Sequence, residues 1–265
     1  MDVWQEKLTL RYGNVDRSDR LTLEGTLSFF QEAAISHAAI IGVGRDAMTA
    51  NAQAWVLSRL SVFIEKRPKY GDNLIVRSWP RGPEKLFCLR DYDIAYESSG
   101  KTLVRARSGW LVLDMEKRRP LRIQAIADKI PLNDGLNALL SGPLGLEARE
   151  DLVSVGKHLA AYSDIDYYGH VNNVRYVRWI QDITPPELLD KAEQIRLDIN
   201  YLSETLPGEE VELLSSSITH PGANSNEYSR DYLKDYPSNL SSAFAYEGRK
   251  QEGQCVFRAE LIFGF

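Results

Sequence analysis

The segment from Asp164 to Trp179 gathers side chains that can transfer protons. It reads Asp-Ile-Asp-Tyr-Tyr-Gly-His-Val-Asn-Asn-Val-Arg-Tyr-Val-Arg-Trp and leads from a turn into an apolar helix. His170 can accept a proton near neutral pH, and Asp166 can orient the imidazole or activate water. The first N–H groups of a helix lack intrahelical partners and attract negative charge. This combination suits hydrolysis of an acyl group, with Val171 and Asn172 as the expected donors to the oxyanion.

The same residues also have a purely structural interpretation. Asp, Asn and His tolerate turns and cap helices, so Asp164 or Asp166 can serve as a capping acid. Asn173 is expected to start the helix, and the aromatic residues after it are expected in the core. Asp166 and His170 together favour function, because both fall at one helix start.

The two halves of the chain repeat one pattern. Ala95-Tyr96-Glu97 recurs as Ala245-Tyr246-Glu247, and each is followed by a polar turn containing glycine and an alternating run. Each half begins with a strand, continues with a helix and ends with several strands. The first-half turn that corresponds to Asp166–His170 lies in Val15–Leu21 and has no histidine. Chemistry is therefore expected in the second half.

Period-two patterning predicts five strands in each half. They are predicted at residues 4–12, 55–65, 73–79, 86–97 and 102–113, and again at 157–163, 195–203, 210–218, 242–247 and 254–263. Helical patterns separate few of them, so antiparallel pairing is expected, in an α+β fold whose long sheet wraps around one central helix per repeat. The predicted domains are residues 1–125 and 154–265, with a linker at 126–153.

The helix of the first half has one apolar face, with residues at steps of three or four. This face comprises Leu23, Leu27, Phe30, Ala34, His37 and Ile41. Thr22 is predicted to cap the helix and Gly42 to end it. His37 is expected in the core or a pocket rather than in catalysis. The pair Pro185-Pro186 is expected to end the second helix, and residues 219–241 to form a long exposed loop.

Composition excludes several classes of protein. The 265 residues carry a net charge of -5, which argues against nucleic-acid binding. No signal peptide is visible and the apolar runs are too short to span a bilayer, so a cytoplasmic location is expected. Cys88 and Cys255 fit small apolar fillers of strands. The sequence predicts no metal site and no cofactor.

The string Asp-Ile-Asp-x-x-Gly-His-Val-Asn-Asn-x-x-Tyr-x-x-Trp resembles the signature of hotdog-fold thioesterases. The duplication, the long first helix and the basic early strands resemble the acyl-acyl carrier protein (acyl-ACP) thioesterases in particular. The resemblance covers about residues 4–263. It implies a tandem hotdog fold and hydrolysis of a fatty acyl thioester carried by ACP.

The resemblance also implies a set of site residues. Asp166 and His170 match the family's catalytic aspartate and histidine, and Glu204 matches its further acid. Tyr168 stands where the family has an asparagine. Three alternatives are open for the role of that asparagine: the Tyr168 hydroxyl donates a hydrogen bond in its place, Asn172 substitutes for it, or the role is unfilled and turnover is reduced. Thr205 replaces a cysteine found in some members, which favours attack by water. The acyl chain is expected to contact Phe29, Phe30, Ala34 and Ile41.

The basic stretch between Arg59 and Arg122 suggests a docking face for the acidic carrier protein, since it holds 15 Lys and Arg against 8 Asp and Glu. The proposed docking residues are either Lys66, Arg67, Lys69, Arg77, Arg81 and Lys85, or Lys117-Arg118-Arg119. The alternative is that most of these charges are solvated strand residues.

Other functions stay open at this point. The chain can be an acyl-coenzyme A thioesterase or a non-catalytic acyl-binding hotdog protein, and dehydratase chemistry is less consistent with the Gly-His-Val-Asn-Asn turn. The sequence leaves acyl chain length and oligomeric state open, a homodimer included.

Overall fold

The computed structural model describes residues 2–122, 126, 128–218, 235–237 and 239–265. The strands are β1 Trp4–Thr9, β2 Gln53–Ile64, β3 Asn73–Glu84, β4 Phe87–Tyr96, β5 Thr102–Asp114, β6 Arg119–Pro120, β7 Val153–Leu159, β8 Gln194–Tyr201, β9 Glu210–Ser217, β10 Leu240–Lys250 and β11 Cys255–Gly264. The helices bounded within these residues are α1 Leu23–Ile40, α2 Arg45–Thr49, α3 Asn173–Ile183 and α4 Pro186–Lys191.

One 11-stranded antiparallel sheet contains all of these strands. Its order is β1-β3-β4-β5-β2-β8-β11-β10-β9-β7, with β6 beside β5. From one end the order is β1-β3-β4-β5-β2, and from the other end it is β7-β9-β10-β11-β8. The five strands of each half therefore follow one another in the same order. The two halves are therefore copies of one unit, joined where β2 and β8 pair. The predicted antiparallel α+β sheet and its duplication are confirmed.

The sheet buries its apolar side against α1 and α3. Strand alternation directs Leu60, Val62 and Ile64 of β2 into the same core as Phe30 of α1 and Val177 of α3. Burying each such side chain contributes about 1.5–3 kcal/mol to folding. The predicted apolar helix faces are thus the faces that the sheet covers.

The helix ends follow local chemistry, with two differences from the sequence prediction. The Thr22 hydroxyl accepts the Gly25 N–H at 2.9 Å, as expected for a cap, and α1 ends at Ile40. Helix α3 ends before Pro185, but Pro186 then opens α4 because proline suits the first turn of a helix. Helix α2 was not predicted, since five residues are too few to show a helical period.

The segment between the halves is a strap across the outer face of the sheet. The Ala138 N–H donates to Asp91, whose carboxylate forms a buried bidentate pair with Arg107. Farther along, the Asn200 side chain bonds both the Leu144 carbonyl and the Leu146 N–H at 2.7 Å. Buried polar groups need such partners, so the strap and the outer sheet face stabilise each other.

The exposed loop and the domain limits predicted from the sequence stay largely untested. The loop predicted at 219–241 falls largely outside the described residues, and β10 already begins at Leu240. The domain limits at 125 and 154 stay predictions, although β6 and β7 lie on either side of the strap. Among the described residues, no helix combines the length and apolar composition needed to cross a bilayer.

A buried ion pair lies at the junction of the two halves. Arg196 donates to both oxygens of Asp198 at 2.9 Å, and both side chains are almost fully buried. Ser61, the β2 residue opposite Asp198, donates a further hydrogen bond to that carboxylate. The junction thus depends on a charge that is costly to leave unpaired.

We expect Asp198→Asn to destabilise the protein by about 3–5 kcal/mol, because it removes the buried carboxylate charge to which Arg196 and Ser61 donate. Urea unfolding followed by tryptophan fluorescence measures the loss. The matched control is Lys7→Gln, which breaks the exposed Lys7–Glu97 pair and should leave the unfolding midpoint unchanged. Equal midpoints for the two variants would contradict the role given to Asp198.

Candidate active site

Residues 166–170, here called the His170 loop, form a tight turn before α3. The Asp166 N–H donates to the His170 carbonyl at 2.9 Å, and the Gly169 N–H donates to the Asp166 carbonyl at 3.0 Å. Gly169 has a φ of +87°, a conformation that glycine adopts without strain. The Val171 N–H then donates to the Thr205 carbonyl at 2.9 Å. This last bond brings the chain after β8 beside the loop.

His170 and Glu204 meet as a result. Nε2 of His170 lies 3.2 Å from Oε2 of Glu204, and their side chains are 39% and 65% exposed. An ion pair this exposed adds little stability. It leaves a base and an acid accessible to a substrate, on segments that the backbone bond to Thr205 holds together. The predicted meeting of these two residues is therefore present in the structure.

Asp166 has a different environment. Its Oδ1 accepts the Tyr168 N–H at 2.9 Å. Within the described part of the chain, its carboxylate makes no hydrogen bond or ion pair with His170 or Glu204. Asp16 makes the same bond to the Ser18 N–H, also at 2.9 Å, in the first half. Asp166 thus shapes the loop, as an aspartate does in an Asx turn.

The expected oxyanion donors need correction. The N–H groups of Val171 and Asn172 already donate to the carbonyls of Thr205 and Asp164, both at 2.9 Å. The Asn172 side chain caps α3 by accepting the Val174 N–H at 3.0 Å. The expectation that these two N–H groups hold the oxyanion does not fit this arrangement, because the bridge that closes the loop uses the Asn172 N–H and the chain after β8 takes that of Val171. Among the described residues, the Asn173 N–H at the start of α3 has no acceptor.

Tyr168 lies at the rim of the His170 loop with about half of its side chain exposed. Its ring is 4.0 Å from that of Tyr167, and the Arg45 guanidinium lies 4.8 Å from the Tyr167 ring. Partial burial and the neighbouring Tyr167 raise the pKa of Tyr168 to about 12, so its hydroxyl stays protonated at neutral pH. Because Arg45 belongs to α2, the first half forms one side of the site.

The corresponding loop of the first half, residues 16–20, is tied to the rest of the protein by ion pairs and hydrogen bonds. We call it the Arg20 loop. Arg67 pairs with Asp16 and donates to the carbonyls of Leu21 and Leu189 at 2.9 and 2.8 Å. Asp190 of α4 accepts the Ser18 hydroxyl at 3.0 Å. Burial lowers the pKa of Arg67 against the opposing effect of Asp16. Ion pairs thus tie this loop to neighbouring segments, whereas the His170 loop presents an exposed base and acid.

The structure revises the proposed basic docking face. Arg67 is buried at the Arg20 loop, Arg77 is paired with Asp93 at 2.6 Å, and Arg81 donates to the Asn133 carbonyl. Arg67 and Arg81 are therefore excluded from docking, whereas the paired Arg77 keeps a side chain that is 37% exposed. The exposed members of the set are Lys66, Lys69, Lys85, Lys117, Arg118 and Arg119. The alternative of solvated charges does not hold for Arg67, Arg77 and Arg81, since carboxylates lie beside all three.

The expected acyl contacts lie in three different environments. Phe30 and Ala34 are buried in the main core, and Ile41 caps the end of α1. Phe29 is half-buried and lines an open groove of about 480 Å³ between α1 and β1. His37 is fully buried, with Nδ1 3.1 Å from Arg90, which agrees with a core residue.

Sequence reasoning missed one ionisable pair beside the site. Nε2 of His158 lies 3.0 Å from Oδ2 of Asp164, and its ring stacks on Trp179 with centroids 4.2 Å apart. Burial opposes ionisation of Asp164, but hydrogen bonds from His158 and the Ala161 N–H outweigh it and lower its pKa. His158 sits on a strand far from the motif, so only a search for histidines near Asp164 in three dimensions finds it.

Comparison with known proteins identifies the family. A family model for the acyl-ACP thioesterase N-terminal domain matches residues 1–129, and one for the C-terminal domain matches residues 152–262. The chain belongs to the acyl-ACP thioesterase family. It is 26% identical over 217 residues to a chloroplastic palmitoyl-acyl carrier protein thioesterase of Cuphea hookeriana, covering 76% of this chain and 52% of that protein. The chain therefore spans about half the length of the curated relatives it matches.

Solved structures of acyl-ACP thioesterases have the same fold. The chain resembles one from Bacteroides thetaiotaomicron at 24% identity and a TM-score of 0.79, covering 99% of this chain and 98% of that one. A 12:0-ACP thioesterase from Umbellularia californica gives 20% identity and a TM-score of 0.78, with 98% and 93% covered. The predicted tandem hotdog fold is confirmed.

If the Arg20 loop is held by buried charge, Asp16→Asn should lower the free energy of unfolding by about 3 kcal/mol, because Arg67 then lacks its carboxylate. The matched control is Asp19→Asn, which removes the same charge at an exposed residue of the same loop with a φ of +62° that asparagine tolerates. Its unfolding midpoint in urea should equal that of the parent protein. A midpoint for Asp16→Asn that matches the control would contradict the assignment.

Proposed function

We propose that this acyl-ACP thioesterase family member hydrolyses fatty acyl thioesters of acyl carrier protein to free fatty acid and carrier protein (EC 3.1.2.14). The observation that carries the proposal is the exposed His170–Glu204 pair of the second repeat, 3.2 Å apart, while a buried arginine, Arg67, stands at the place of Glu204 in the first. Family membership supports the substrate class. A cytoplasmic location and a homodimer stay predictions.

The proposed reaction uses water as the nucleophile. Glu204 takes a proton from water, which attacks the thioester carbonyl carbon. That proton moves from Glu204 to His170, 3.2 Å away, and His170 passes it to the thiolate as the carbon–sulfur bond breaks. The Asn173 N–H stabilises the oxyanion, since it has no acceptor among the described residues and lies at the positive end of α3. Asp166 contributes by keeping the His170 loop folded. Thr205 is fully buried, which fits its absence from the chemistry.

The acyl chain is proposed to extend from the His170 loop towards the first half. Arg45 of α2 already lies against Tyr167, so the first half adjoins the loop at this point. Ile41, Ala34 and Phe30 follow along α1 towards the core. Phe29 extends the proposed contact set on the same helix. Each methylene added to or removed from the acyl chain should change the free energy of discrimination between substrates by no more than roughly 1–3 kcal/mol.

We expect His170→Ala and Glu204→Gln to lower kcat on acyl-ACP by at least about 100-fold, because each removes a proton-transfer group. Asp166→Asn should cost less, because asparagine keeps the acceptor for the Tyr168 N–H. Release of free fatty acid over time measures all three. The control is Asp16→Asn, whose turnover per folded molecule should stay within about twofold of the parent protein. Near-parent rates for both His170→Ala and Glu204→Gln would refute the site.

The exposed basic residues should favour carrier-protein substrates through long-range attraction. Raising ionic strength should therefore raise KM for acyl-ACP and leave kcat unchanged. Charge reversal of Lys117, Arg118 and Arg119 should flatten this salt dependence, and charge reversal at Lys101, which lies outside the proposed set, is the control.

Rates on an acyl-coenzyme A with the same acyl group serve as the comparison. Equal or higher kcat/KM on the coenzyme A ester would favour an acyl-coenzyme A thioesterase, and release from neither ester would favour an acyl-binding protein.

A further inference from the structure

We propose that His158 and Asp164 form a positioning pair that holds the His170 loop and the start of α3 in their reactive arrangement. The proposal rests on the function proposed above. His158 belongs to β7 at the edge of the sheet, outside the motif, and pairs across the ladder with Val211 of β9. Its role is to act through Asp164, without touching the substrate.

The pair is built into the fold from three sides. The Asp164 side chain is 7% exposed and accepts the Ala161 N–H at 3.0 Å in addition to its contact with His158 at 3.0 Å. The imidazole stacks on the Trp179 indole of α3 at an interplanar angle of 29°. A buried carboxylate requires such donors, so His158 fixes where Asp164 can lie.

Asp164 in turn fixes the reactive segment. Its carbonyl accepts the Asn172 N–H at 2.9 Å, which sets the position of the residue that caps α3. The next residue, Ile165, forms the β-bridge with Val171 that closes the His170 loop. A shift of Asp164 therefore moves both His170 and the helix start, where the Asn173 N–H lies.

The first half shows that the fold forms without this pair. Leu8, Asn14 and Phe29 take the places of His158, Asp164 and Trp179. The Asn14 carbonyl still accepts the Thr22 N–H, at 3.0 Å, so the loop closes in the same way. There, these three residues line the open groove of about 480 Å³. The ionisable pair and the stacked indole occur in the repeat that also carries His170 and Glu204. This difference points to function rather than folding.

The chain supplies its own test variants. His158→Leu installs the side chain that the first half uses at this place, and His158→Gln keeps a donor for Asp164. Lys157→Gln, the control, breaks an exposed 2.7 Å pair with Glu210 on the same strand. We expect His158→Leu to lower kcat on acyl-ACP about tenfold per folded molecule with KM within about twofold, because small displacements of reacting groups are costly. His158→Gln should recover most of the loss, and the control should match the parent protein.

The second readout does not need turnover. The chain has four histidines, so the His170 ring signals can be assigned by NMR through the His170→Ala spectrum. They should shift in His158→Leu and stay unchanged in Lys157→Gln. If the parent protein releases no fatty acid, the proposed function is refuted. The shift of the His170 ring signals in His158→Leu then decides by itself whether His158 positions the His170 loop.

Three outcomes would overturn the pair. These are unchanged kcat in His158→Leu, a loss in His158→Gln as large as in His158→Leu, or unshifted His170 signals in a folded His158→Leu. If His158→Leu does not fold, Asp164→Asn replaces it, since the first half has an asparagine, Asn14, at the equivalent place. The expectations and the refuting results are then the same.

Discussion

The pairing of β2 with β8 is the constraint on which the rest of the molecule depends. It places two copies of one unit side by side in a single sheet, and Asp198 buries a charge at the junction. The short helix of each copy then reaches the loop of the other. Arg45 of α2 lies over Tyr167, and Asp190 of α4 lies beside Ser18. The His170 loop is therefore bordered by both halves.

The same geometry lets two equivalent loops have opposite properties. Leu21 donates to the Pro68 carbonyl as Val171 donates to that of Thr205, so Arg67 and Glu204 hold equivalent places before these acceptors. In the first half the long guanidinium enters the interior and ties the loop to α4. In the second half a carboxylate stays at the surface beside His170. One exchange of charge thus separates a loop that ion pairs tie to its neighbours from a loop with an exposed acid and base.

Much of the fold could be predicted because its signals are local. Period-two runs predicted most strands, although β7 lies at Val153–Leu159 rather than at 157–163 and β6 was not predicted. The cap at Thr22 predicted the start of α1. The motif also placed His170 at a loop before α3. It did not reveal which N–H groups are free, because Val171 and Asn172 donate theirs to Thr205 and Asp164, and those acceptors depend on the closed bridge. The sequence also did not show that Arg67 and Arg77 are paired, since their carboxylate partners lie on other segments.

By itself, the sequence determined a duplicated α+β unit with an acid and a base at one helix start, since spacing and residue type act over a few positions. Tertiary structure decided that Glu204 meets His170, that Asp166 serves the turn, and that His158 supports Asp164. Contacts of this kind join residues brought together only when the sheet closes around its helices. Their energies depend on burial and on partners, which no local pattern in the chain records.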